Sequence, residues 1–437
     1  MPGAENSDTI ALALPDGRGA ATVAPRPSPL APVLMPGAEN SDTIALARPD
    51  GWDSATVAPR PSPLTPVLTG ILLAGFALRL PLLDRFPLHQ DEAIYSFWAM
   101  YGRHVDPLFL TVWPDKPPLY LWLLSGAFDL LGATPAAARA LNIIFSTLTI
   151  AVVAVLARTW WGARAGVLAA LFLALNPFAI SFAPTAFTDP LLVLAGMLAL
   201  LAIVRRHCFW AGIWLGVAIM TKQQGLLFIP LVAAFSLYAP HTPGDLLRRT
   251  AALLTGLLLI VAPILWWDSL RWAVAPSPWD LGARNAAGFA LVTPALWPVR
   301  AQGWLELGGY LLGEAWLWLA VIGLLLFGVA WRKRRPQMYW QPTALLALWS
   351  GALLALHIVT TVQIWDRYLL PLAPIVALLL AFVVETVLNA GALWKPHLLV
   401  ALLGLALAWP AFAAAQGRLP IGGDHGAYSG LDEVAAW

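Results

Sequence analysis

Five short segments gather ionisable side chains in a chain that otherwise avoids them. The first is His89-Gln90-Asp91-Glu92-Ala93-Ile94-Tyr95. Two adjacent acids are either a solvated loop or a working pair. In a working pair one carboxylate is the general base for an acceptor hydroxyl and its neighbour tunes or orients it. The second is Trp113-Pro114-Asp115-Lys116-Pro117-Pro118-Leu119-Tyr120. Pro117-Pro118 fixes an extended turn ahead of an apolar segment. A lysine held there either snorkels at a helix end or offers a point positive charge to phosphate. The third is Thr185-Ala186-Phe187-Thr188-Asp189-Pro190, where Asp189 opens an apolar run. It is either a helix cap or a buried acid with a task. The fourth, Met220-Thr221-Lys222-Gln223-Gln224-Gly225, is a polar island between two apolar runs. It reads as a short connection or as a lysine waiting for an anionic head group. The fifth is Trp365-Asp366-Arg367-Tyr368. There Arg367 either pairs with Asp366 or forks onto phosphate. Trp279, Trp297, Trp304 and Trp316 suit an interfacial belt or stacking on sugar.

The elements that position these segments are apolar helices. The chain is 59% hydrophobic and only 11% charged, too little charge to cover a soluble surface of 437 residues. The fold class expected is an all-α integral membrane protein. A first span covers Leu64 to about Leu83, and the stretch from Asp84 to Pro118 is polar and irregular. Spans follow near 136–157, 163–182, 187–204, 209–223, 225–239, 250–268, 309–331, 341–361, 367–388 and 396–414. That makes about eleven, with those flanking Lys222 readable as one broken pair. Leu119 to Leu131 is too short to span and lies in the interface or re-enters.

Basic residues orient the bundle. Arg158 with Arg164, Arg205 with Arg206, Arg248 with Arg249, and Arg332 to Arg335 all fall on one side if the N-terminus is cytoplasmic. The loops at 84–135, 183–188, 269–308 and 362–366 then face outward, and with them all five ionisable segments. A net charge of +2 gives no reason to expect nucleic acid. The single cysteine, Cys208, excludes an intrachain disulfide. No HExxH or DxD is present, so no metal or other cofactor is expected, and without a Walker lysine loop or GxGxxG a cytosolic nucleotide substrate is unsupported.

Residues 1–63 form a separate segment. MPGAENSDTIALALPDG from Met1 recurs as MPGAENSDTIALARPDG from Met35, and the Pro-rich composition predicts a disordered cytoplasmic tail. Residues 64–414 form the membrane domain. Residues 415–437 read as the start of a truncated outward-facing segment, with Ser429 and Asp432 at capping-box spacing.

At these residues the chain resembles the polytopic glycosyltransferases of the GT-C fold, which use polyprenyl-phosphate-linked sugars. It is most similar to bacterial members related to protein O-mannosyltransferases and to aminoarabinose and RgtA/B/C/D-like lipopolysaccharide transferases. The marks are Asp91-Glu92 after the first span, KPPLYLWL from Lys116 to Leu123, Asp189, TKQQGLLFIPL from Thr221 to Leu231, and RYLLPLAP from Arg367 to Pro374. The resemblance covers about residues 65–437. It implies a cavity above the bundle on the outer face of the cytoplasmic membrane. There a sugar moves from polyprenyl phosphate to a lipid, glycan or protein acceptor, with inversion and without a metal. Asp91 would be the base, Glu92 its support, and Asp189 a positioning acid. Lys116, Lys222 and Arg367 would receive the departing phosphate, with Tyr95, Tyr120 and Tyr368 lining the substrate. A transporter or flippase of a lipid-linked anion is the alternative from another class. It would place charges at mid-membrane in repeated halves. A glycan ligase or polymerase and an inactive paralogue are further readings.

Overall fold

The computed structural model describes residues 64–238, 242–313, 328, 340–390 and 396–419. The repeated tail, the Arg332–Arg335 cluster, Trp316, residues 420–437 and most of the span expected at 309–331 lie outside these. Among the described residues the chain is helical, with one isolated bridge between Leu291 and Thr360. The helices are α1 (Thr65–Arg79), α2 (Gln90–His104), α3 (Leu119–Leu131), α4 (Pro135–Trp161), α5 (Ala163–Ala174), α6 (Pro177–Phe182), α7 (Asp189–Val204) and α8 (Cys208–Thr221). They continue with α9 (Phe228–Tyr238), α10 (Pro243–Ser269), α11 (Pro278–Asn285), α12 (Trp297–Leu312), α13 (Gln341–Val359), α14 (Leu372–Asn389) and α15 (Pro396–Ala415). By length and composition α4, α10, α13 and α14 are able to cross a membrane, and shorter apolar helices stand beside them.

Helix boundaries depart from the expected spans where local chemistry overrides apolarity. The expected span 163–182 breaks at Asn176-Pro177. Pro177 brings no N–H to the ladder, and Asn176 turns extended to cap α6 by accepting from the Ala179 N–H at 2.8 Å. The stretch expected to be irregular, 84–118, contains α2. A reciprocal cap starts this helix: His89 Nδ1 accepts from the Asp91 N–H at 3.1 Å, and Glu92 accepts from the His89 N–H at 2.7 Å. The pair flanking Lys222 is broken as anticipated. Lys222 is extended between α8 and a 3-10 turn at Gln223–Leu227, which runs into α9.

The packing core is α4, α5, α7, α8 and α14. Helix α7 is apolar all round and buried along most of its length, as a central helix must be. Helices α8 and α10 meet through glycines. A Cβ on Gly212 would lie 1.9 Å from the Leu253 carbonyl oxygen, and one on Gly256 would lie 2.1 Å from that of Phe209.

One buried staple joins these helices to the chain around the acids. Arg139, on α4, forks onto Glu92 at 3.0 and 2.9 Å. Its remaining N–H groups reach the carbonyls of Leu83, Phe86 and Pro87 at 3.2, 2.8 and 2.8 Å. Glu92 also accepts from the Ala186 N–H at 2.8 Å. One turn along α4, Asn142 donates to the Thr185 and Phe187 carbonyls at 2.6 and 2.7 Å. Replacing Arg139 with methionine strands a buried carboxylate. The expected cost is about 3–5 kcal/mol, seen as a lowered midpoint on thermal unfolding of the detergent-solubilised protein. Arg139→Lys, which keeps the charge but not the fork, should fall between.

Candidate active site

Asp91 lies in the first turn of α2, presented by the cap that starts the helix. Its carboxylate pairs with Arg367 Nη1 across 276 residues of sequence. Arg367 stands in a 3-10 turn at Asp366–Leu369, where Asp366 accepts from the Arg367 N–H at 2.6 Å. Aromatic rings hold the guanidinium, with Trp365 at 4.8 Å and Phe187 at 5.3 Å from its carbon to the ring centre. The Arg367 Nε is buried and meets no acceptor. Burial pushes the Asp91 carboxyl up, but Arg367, His89 and Lys116 together outweigh it and hold the group below its ordinary value.

Lys222 and Asp189 form the second pair, at 2.7 Å and almost wholly buried. The Tyr368 ring lies 4.7 Å from the ammonium. Burial lowers Lys222 to about 8, with Asp189 opposing and Arg367 and Lys116 adding to the shift. Burial likewise pushes the Tyr368 hydroxyl up to about 12 against the pull of Arg367. Behind Tyr368 stands His357, ring to ring at 5.8 Å, and behind that Trp304 at 5.1 Å. Arg300 binds the His357 and Ile358 carbonyls at 2.8 and 3.0 Å, fixing the turn that leads to Arg367.

Lys116 pairs with Asp115, the third couple. Asp115 is tied to α11 by Asn285, whose Nδ2 donates to its carboxylate at 2.7 Å. Gln223 Nε2 reaches the Asp115 and Pro278 carbonyls at 2.8 and 3.0 Å, joining the lysine loop, the α8 break and α11. Gly282 lies close against it: a Cβ there would lie 2.4 Å from that nitrogen, so a larger residue would push the Gln223 amide aside. Asp280, Ala283 and Arg284 of α11, with Gly288, line an open concavity of about 600 Å³.

Of the residues singled out in the sequence, Asp91, Asp189, Lys116, Lys222, Arg367 and Tyr368 assemble here. Tyr95 is buried among them, and burial raises its hydroxyl well above the ordinary value while Arg367 opposes. Glu92 instead faces α4 and is consumed by Arg139 and two backbone N–H groups. Tyr120 is also turned inward, with its hydroxyl 3.1 Å from Asn142 Nδ2. Asp115, Gln223, Asn285 and His357 were not singled out. Asp115 and Gln223 adjoin the two lysines in sequence, whereas nothing local distinguishes Asn285 or His357. Three cations face three carboxylates, so this set of groups is neutral overall. No group of three or more metal-ligating side chains occurs among the described residues.

Known proteins share this architecture. Residues 115–267, which include Asp115, Lys116, Asp189 and Lys222, match the family model described as dolichyl-phosphate-mannose-protein mannosyltransferase. No curated protein matches the chain. The structure of ArnT from Cupriavidus metallidurans bound to undecaprenyl phosphate superposes with a TM-score of 0.56 and 21% identity, over 74% of this chain and 60% of that one. Its apo form gives 0.55 and 21%, over 74% and 59%. The archaeal oligosaccharyltransferase AglB from Archaeoglobus fulgidus, in complex with an inhibitory peptide and a dolichol-phosphate, gives 0.56 and 16%, over 82% and 56%. The chain thus spans about 60% of the length of the ArnT it matches. It is a multi-pass membrane protein of the GT-C fold shared by ArnT and AglB.

Proposed function

We propose that this chain is a membrane glycosyltransferase that moves a sugar from a polyprenyl-phosphate donor to an acceptor hydroxyl. The observation that carries this reading is the gathering of Lys116, Lys222 and Arg367, each beside a carboxylate, where several helices end. Helix α7 begins at Asp189 and Lys222 directly follows α8; Arg367 lies in the connection between α13 and α14. Cations at a membrane face suit a lipid phosphate whose charge grows as it leaves. The match of 115–267 to a family named for a dolichyl-phosphate sugar donor supports the same substrate class, as does the undecaprenyl phosphate bound to ArnT.

In this reading the acceptor oxygen attacks the anomeric carbon on the face opposite the phosphate. The bond from that carbon to the phosphate oxygen breaks, and its electron pair stays with the phosphate. The acceptor proton passes to Asp91. One displacement inverts the anomeric centre, and no general acid is needed because phosphate leaves well without protonation once cations take up its growing charge. Asp189 holds Lys222, while Tyr368 and Tyr95 shape the wall. Glu92 acts by fixing the helix that presents Asp91. The concavity beside α11 is the approach for the acceptor.

Orientation follows from charge. Arg158, Arg164, Arg205, Arg206, Arg248 and Arg249 sit at the ends of α4, α5, α7 and α10 away from Asp91, Asp189 and their cations. The positive-inside rule then puts the site on the outer face of the cytoplasmic membrane.

Two measurements test the proposal. Membranes containing the wild type should transfer labelled sugar from one of a panel of polyprenyl-phosphate donors. Asp91→Asn, at equal protein level, should lose about 10²–10⁴-fold. Undiminished transfer by that variant would remove Asp91 as the base, and no transfer by the wild type from any donor would remove the function. The second is a pH profile. A sugar phosphodiester does not titrate near neutrality, so a basic limb belongs to the protein. Lys222 binds phosphate as the ammonium, so kcat/KM for the donor should fall as pH rises through about 8. Lys222→Arg should move that limb to higher pH.

A further inference from the structure

The Arg367–Asp91 pair joins the two halves of the proposed reaction: the group that takes the phosphate holds the group that takes the proton. Neither depends on the other for its place. The Arg367 backbone is fixed by its 3-10 turn and by the Asp366 carboxylate on its own N–H, and its guanidinium lies over the Trp365 and Phe187 rings. Asp91 is fixed by the His89–Glu92 cap at the start of α2. The contact between them is therefore free to exchange without moving either backbone. The guanidinium also has donor capacity to spare. Asp91 takes Nη1, and the buried Nε has no acceptor at all. A buried donor without a partner is costly and is satisfied by an anion that brings two or more oxygens. In the other two couples the acid lies beside its lysine without being the proposed base. Only at Arg367 do phosphate and base meet on one side chain.

We propose, building on the transferase reading above, that Arg367 is a positioning residue for Asp91 as well as a ligand of the donor phosphate, and that the two anions compete for it. The contact with Arg367 masks Asp91. Arrival of the phosphate draws the guanidinium away and frees the carboxylate to accept a proton. The base is armed when a donor is present, and donor binds before acceptor. Coupling of this kind is reciprocal. Whatever removes the Asp91 charge must strengthen phosphate binding, which is the opposite of what deleting an ordinary site residue does.

The test uses the full chain in nanodiscs with undecaprenyl phosphate as the probe. Affinity is measured for the wild type, Asp91→Asn, Arg367→Gln and the double variant. Asp91→Asn should bind about tenfold tighter than the wild type, the scale of one close charge pair. In the Arg367→Gln background the same change should have little effect, because the competition has no subject. Asp91→Ser gives a second removal of the charge should Asn perturb the start of α2. Asp245→Asn, on an exposed acid paired with Arg248 and Arg249 at the other end of the bundle, should leave affinity as it is. Equal or weaker binding by the folded Asp91 variants, or tightening that persists without Arg367, overturns the proposal and leaves the transferase reading standing. A wild type that binds no undecaprenyl phosphate overturns both.

Discussion

The buried couple of Glu92 and Arg139 is the constraint on which the rest of the molecule hangs. A carboxylate and a guanidinium taken out of water repay their desolvation only if every lone pair and N–H is used. Here they very nearly are. The arginine spends its fork on Glu92 and its other hydrogens on three carbonyls, of Leu83, Phe86 and Pro87, in the turn after α1. The glutamate spends its oxygens on the His89 N–H just ahead of α2 and on the Ala186 N–H ahead of α7. Two irregular segments, distant in sequence, are thereby fixed to one face of α4. One carries Asp91 and the other leads into Asp189. The ends of the candidate site are thus referenced to a single helix, α4.

Electrostatics then favours pairs. Each cation of the site sits in a partly dry environment at the ends of apolar helices, where an uncompensated charge would be expensive. A carboxylate beside each one keeps this set of groups near neutrality while holding three cations close together. Aromatic rings do the remaining work, since Trp365, Phe187 and Tyr368 offer π-faces to cations without adding negative charge that a lipid phosphate would have to displace.

The class of fold was legible in the sequence because long apolar runs have few other solutions, and most helices lie within a few residues of where hydropathy placed them. What hydropathy misjudged were the positions governed by one hydrogen bond. Asn176 splits an apolar run that looks continuous, and a histidine cap builds α2 in a stretch that looks unstructured. The charged members of the site were legible for a related reason. A Lys, Asp or Arg at the edge of an apolar segment is conspicuous. Their pairing was not, since Arg367 and Asp91 are 276 residues apart and nothing local links them. Glu92 shows the limit of motif reading. It stands next to Asp91 in sequence, yet on a helix neighbouring residues point about 100° apart, so one acid faces the site and the other the core. Asn285 and His357 carry no local sign at all, because their parts depend on which helices pack together.

All of the site's charged groups hang from helix termini, turns or the break at Lys222, and none from the middle of a long span. An inserted residue near the site end of α7 or α8 would swing its charge by about 100° and lift it about 1.5 Å, enough to unmake an ion pair. The same insertion at the basic end would only lengthen the helix into the headgroups. The bundle therefore has one end that must keep register and one that is free to drift. That asymmetry lets a lineage adjust to thicker or thinner bilayers without disturbing the chemistry.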